Sequence, residues 1–161
     1  MTHSDRRQQT ENRDGELVHA VTQEHGLLVA LRQALARQRE GVAGGDPGAV
    51  EAASHRVAHA VMNLDEARRK REALVLSFSH ARPMRLETLE LHVGPVPGLA
   101  EARHRLREEA EETLRDLTVT QQVLQAALRA GDAYLQSLFA SVTDAYHETG
   151  SAPGALVNRR A

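Results

Sequence analysis

Nine histidines and no cysteine in 161 residues raise metal and acid–base chemistry first. His55 and His59 stand four apart and would share one face of a helix. Two imidazoles leave a tetrahedral zinc site two ligands short, and the sequence around them is not HExxH. Glu16 to His19 and Glu101 to His104 repeat the Glu-x-x-His spacing that di-iron bundles place on two of their helices. Both fall at helix starts, where a bundle-core site is badly placed, and nine histidines among abundant glutamates produce such pairs by chance. Surface histidines are the simpler explanation. The glycines of Gly41-Val-Ala-Gly-Gly-Asp-Pro-Gly48 lack the preceding strand and the following Gly-Lys-Ser/Thr of a phosphate loop. Serine, histidine and aspartate all occur, but no Gly-x-Ser-x-Gly elbow presents a serine. Without cysteine there is no thiol nucleophile, disulfide or thiolate ligand. The expectation is a protein that is not an enzyme, with no catalytic residue, no metal and no cofactor.

What remains is apolar surface. Three of the four aromatics (two Tyr, two Phe) fall near the C-terminus, where Leu128, Tyr134, Leu135, Leu138, Phe139, Val142 and Tyr146 cover more than one side of a helix. Large aromatic side chains are frequent interface anchors, so these seven residues are the candidate partner-binding set. The competing reading makes them core, packed by the chain itself or by a second copy.

The element carrying them is predicted over 99–148. It contains no proline, and Leu114, Leu117, Gln121, Leu124, Leu128, Gly131, Leu135, Leu138 and Val142 follow a three-four spacing throughout. Gly131 is its weak point, read as a close-packing position rather than a hinge. Two further helices must support it. Leu17, Val21, Glu24, Leu28, Leu31, Leu35, Gln38 and Val42 form the seam of a helix over 14–41, with two polar interruptions of the kind that fix register. Asp46 and Pro47 supply an N-cap and a pre-set first residue for a second helix over 47–79, striped by Val50, Ser54, Val57, Val61, Leu64, Arg68, Arg71, Val75 and Phe78. The short turn between them implies an antiparallel hairpin. Residues 80–98, broken by Pro83, Pro95 and Pro97, form a crossover in which Met84, Leu86, Leu89 and Leu91 offer one apolar face of a short helix.

The fold class is therefore all-α: an elongated antiparallel hairpin plus a long C-terminal helix, forming a single domain over 14–148 between disordered tails at 1–13 and 149–161. At 1.5 Å per residue the third helix is roughly 75 Å long and the first two roughly 42 and 50 Å. The stretch from 99 to about Leu128 should pack on the hairpin, and about 15 residues should extend beyond it. Low aromatic content (2%) and few β-branched runs argue against sheet. The run Glu66 to Glu72 reads as a solvated face with pairs such as Glu66 to Lys70. A net charge of −2 with interleaved signs does not favour nucleic acid. No apolar run approaches the ~20 residues of a membrane span, so no membrane insertion is expected, and the polar start at Met1 to Glu16 points to a cytoplasmic protein.

The layout resembles the FlgN-type flagellar export chaperones. The family's glutamate followed by paired leucines is similar to Glu24-His-Gly-Leu-Leu-Val-Ala-Leu31, and its short residues around Gly-Asp to Ala43-Gly-Gly-Asp46. Its leucine, acid and arginine closing the second helix resemble Leu64-Asp-Glu-Ala-Arg-Arg-Lys-Arg71, and its tyrosine shortly before a glycine resembles Thr143-Asp-Ala-Tyr-His-Glu-Thr-Gly150. Where the family often has an asparagine before a leucine pair, this chain has Thr120-Gln-Gln-Val-Leu124. The resemblance implies a type III secretion chaperone whose last helix binds the C-terminal helical end of hook-associated junction proteins. It also implies that Tyr146 contributes to docking on an export-gate component. The alternative is a self-associating coiled-coil structural protein, active as a homodimer.

Overall fold

The computed structural model describes residues 3–79, 82 and 84–150, with side-chain surroundings from residue 11 to residue 143 within those spans. The fold is all-α: α1 (His3–Ala43), α2 (Pro47–Phe78), α3 (Leu86–Val93) and α4 (Leu99–Gly150), with no strand among the described residues. Two compact units divide the chain, Met1–Gln122 and Val123–Ala161.

In the first unit α1 and α2 form the antiparallel hairpin. Its turn is a Schellman closure: Gly45 takes a φ of +61, Asp46 N donates to Gly41 O at 3.0 Å and Gly45 N to Val42 O at 3.1 Å. Asp46 then caps α2, its Oδ1 accepting from Ala49 N at 3.0 Å. A Cβ at Gly41 would come to 3.0 Å from Val50, so a glycine there lets the end of α1 and the start of α2 approach closely.

The seam of α1 is the one its spacing predicts from Leu17 to Gln38, and Val42 at its end is half-buried. Leu17, Val21, Glu24, Leu28, Leu31, Leu35 and Gln38 are all buried. The seam of α2 is not. Its buried line is Ala53, Ala60, Ala67 and Val75, while Val61 and Arg68 are exposed and Val57 and Leu64 only half-buried. Alanines seven apart let the two backbones approach closely, so the leucines of α1 fill the space that larger α2 side chains would otherwise occupy. Large side chains dominate a periodicity count, and alanine is the signal it underweights.

α1 starts at His3 and not at Asp14, so the predicted N-terminal tail is in fact helix. Residues 3–13 include three arginines, two glutamines and one glutamate, side chains that lose little entropy in a helix, and a nucleated helix extends by one bond per residue. Among the described side chains Arg13 anchors it, with its guanidinium 4.7 Å from the Phe78 ring centroid and donating to Ser77 O at 2.7 Å. At the other end α4 runs to Gly150, and the tail predicted beyond lies outside the described residues from 151 onward.

The crossover contains the short helix α3. Leu86, Leu89, Val96 and Leu99 join Leu17, Val21 and Val75 in the main core, with Met84 packed against it. Leu91 does not share that face and is 83% exposed, because it follows buried Leu89 by two residues, about 200° around the helix. Gly94 and Gly98, at φ of +90 and +82, turn the chain on either side of Val96. Within this unit α4 faces the hairpin through Leu99, Ala102 and Leu106 and then through buried Thr113 and Thr120.

That face corrects the predicted seam. Leu114 is 63% exposed and Leu117 is exposed as well. The side of α1 that meets α4 carries Arg32 and Arg39, and α4 turns its acidic and threonine row to them. Leu114 follows Thr113 by one residue, about 100° around the helix, so satisfying the arginines places the leucine row outside.

Candidate partner-binding surface

Leu128, Tyr134, Leu135, Leu138, Phe139 and Val142 all lie on α4 in the second unit and all are exposed, Phe139 at 71% and Leu128 at 70%. Tyr146 is on the same helix, and its side chain lies outside the described residues. Leu128, Gly131, Leu135, Leu138 and Val142 follow one another at three and four residues, so they form one row. Tyr134 flanks the row on one side and Phe139 on the other. The resulting apolar face is wider than the two-position stripe that a two-stranded coiled coil uses. Side chains charged at neutral pH are sparse between 123 and 143: Arg129 on the back of the helix and Asp132 at one edge of the row.

The helix passes through Gly131 without interruption. Apart from its chain neighbours and its own helix backbone, no atom lies within 4 Å of the position its Cβ would take, so the chain itself does not pack closely against it as its spacing predicts. Within the chain, open space around that position leaves room for a larger residue. Local bonds such as Ser141 Oγ to Leu138 O at 2.9 Å and Thr143 Oγ1 to Phe139 O at 2.8 Å satisfy the hydroxyls within the helix itself.

The chemistry-bearing residues disperse along the helices. Exposed His55 lies 3.9 Å from Glu51, and the His59 ring meets Asn63 at 3.1 Å. Glu16 accepts from Asn12 at 3.2 Å, Glu101 pairs with Arg105 at 2.5 Å and His104 with Glu108 at 3.4 Å. Each is engaged one turn away on its own helix. Among the described residues no three histidine, aspartate or glutamate side chains assemble into a group that could hold a metal.

Two polar clusters escaped the sequence reading. Buried Glu24 accepts from Arg71 Nε at 2.6 Å, with Arg68 at 3.8 Å. Gln38 donates to Ser54 Oγ at 2.8 Å, so both polar interruptions of the α1 seam meet polar partners on α2. Beside Glu24 and Arg71 opens a cleft of about 580 Å3 with Val75, Met84, Leu86 and Leu106 in its wall. The second cluster joins α1 to α4. Arg32 contacts Glu109 and Asp116 at 3.0 Å each and also pairs with Glu112. Arg39 reaches Thr120 Oγ1 at 2.7 Å and Asp116 Oδ1 at 3.3 Å. Hydrogen bonds to Asp116 first, and then to Glu109, hold the Arg32 guanidinium above the ordinary arginine range. The signal was present: two arginines seven apart on one helix and acids at three, four and seven on another are complementary rows.

Comparison of the chain with protein-family models, with curated proteins and with solved structures gave no match.

Proposed function

We propose that this chain is a helical binding protein that holds and delivers a partner without covalent chemistry, and specifically a flagellar type III export chaperone of the FlgN kind. In this reading the α4 face from Leu128 to Val142, with Tyr146, binds the C-terminal helical segment of hook-associated junction proteins in the cytoplasm. It shields that segment from premature assembly, and Tyr146 helps to dock the loaded chaperone on the export gate. The observation that carries the reading is the exposure of Tyr134 and Phe139 on both flanks of the leucine row. A helix presenting a broad apolar face is suited to receive an amphipathic partner helix, and its scarcity of charged flanking residues does not suit a self-paired coiled coil, whose pairing and orientation are set by flanking ion pairs.

The test is binding of junction-protein C-terminal segments to the full-length chain, followed by Leu138→Asp combined with Phe139→Asp. The double variant is expected to lose the partner while keeping its far-UV helicity and melting transition. Failure of the unmodified chain to bind any such segment would remove the export reading. A stable dimer in light scattering that the same double substitution dissociates would establish the coiled-coil alternative instead.

A further inference from the structure

We infer that the flank of the α1–α2 hairpin that α4 leaves uncovered is a second docking groove, shaped for an acidic amphipathic helix of a partner protein. The groove encloses about 510 Å3. Its floor is buried Ala34 and Ala60, with half-buried Leu27 and exposed Ala30 beside them, and the alanines allow a helix backbone to come close. Its rim is basic: Arg37 and Arg56 are exposed, His55 and His59 stand beside them, and no aspartate or glutamate lines the groove. Among the described residues the ion pairs involve neither Arg37 nor Arg56.

The molecule already contains the same solution on its other flank. There α1 offers Arg32 and Arg39, and the helix that docks is the acidic stretch of α4, with Glu109, Glu112 and Asp116 turned to the arginines. On α1, Arg32 and Arg39 lie to one side of the buried Leu31, Leu35 and Gln38 line, while Ala30, Ala34 and Arg37 lie to the other. One arginine-bearing flank is filled by an acidic helix and the other is open. Charge complementarity therefore identifies the occupant as a helix with an apolar row bordered by carboxylates. The chain's own residues 151–161 do not qualify, since they carry Arg159 and Arg160 and no acid. This groove lies in the first unit and does not depend on the export reading.

The experiment uses the full chain and three labelled synthetic peptides in fluorescence anisotropy. One is a helical peptide with a leucine–alanine row bordered by glutamates, the second has the same composition scrambled, and the third has lysine for each glutamate. The first should bind, and added salt should weaken it. Arg37→Glu with Arg56→Glu should reduce its affinity about tenfold or more, and Ala30→Trp, which fills the groove from an exposed position, should do the same. Circular dichroism would show both variants folded. Absence of binding up to about 1 mM, equal binding of the scrambled or lysine peptide, or indifference to both variants would overturn the proposal. So would a homodimer in sedimentation that these substitutions dissociate, because the occupant would then be a second copy.

Discussion

Arg32 Nε lies 3.0 Å from Asp116 Oδ2, joining residues 84 positions apart in the chain. This pair, extended by Glu109, Arg39 and Thr120, decides which face of α4 meets α1. The helices are bridged here by long side chains rather than by close backbone contact, in contrast to α1 and α2. In a double-mutant cycle with Arg32→Ala and Asp116→Ala the coupling should be about 0.5–1 kcal/mol, a value tempered by partial exposure of the arginine. Added salt should diminish it. Because the pKa of Arg32 is raised, its contribution is fully present below the ordinary arginine range and is lost only above it. Coupling measured by urea denaturation should therefore not change with the arginine's charge between mildly acidic and mildly alkaline pH.

Glu24 and Arg71 make the opposite kind of pair, with Glu24 buried and Arg71 only slightly exposed. Glu24→Ala removes the carboxylate and leaves a guanidinium without its counter-charge, at a cost of about 3 kcal/mol. Glu24→Met with Arg71→Leu should recover most of that loss, because the pair's attraction is offset by its desolvation. Urea midpoints of the two variants give the comparison, and equal loss in both would show that the ion pair itself stabilises the hairpin.

The close approach of α1 and α2 at the alanine line can be measured directly. Ala60→Leu should destabilise by about 1–3 kcal/mol through overpacking, whereas Val61→Ala, at an exposed site, should stay within about 0.5 kcal/mol. Thermal melts of the pair distinguish the observed register from the one in which Val61 is core, which would reverse the order.

Gly131 sits mid-helix with open space around its Cβ position. Gly131→Ala should stabilise α4 by about 1 kcal/mol, seen as added helicity or slower amide exchange between 123 and 143. A loss of helicity would mean that another body packs against that glycine.

Much of the architecture was legible because helix seams are local. Leu17 to Gln38 repeat at three and four, Asp46-Pro47 announces a helix start, and Gly45 supplies the left-handed turn, so each element could be placed by its own residues. The candidate face from Leu128 to Val142 was legible for the same reason. Less legible were the choices made between elements. The α2 stripe failed at Val61 because Ala60 offers closer packing at little loss of buried area. The leucine row at Leu114 and Leu117 failed because burying arginines without partners costs more than leaving two leucines exposed.

By itself, then, the amino-acid order determined that the chain is helical, where its turns fall, which residues line the α1 seam and where aromatic side chains gather on α4. Tertiary structure decided which face of α4 turns to the hairpin, which charges pair across it and which flank is left open. The reason is physical: helical periodicity is set by neighbours three and four residues away, whereas the rotation of one helix against another is set by the fit of Arg32 and Arg39 to Glu109 and Asp116, groups that no local pattern joins.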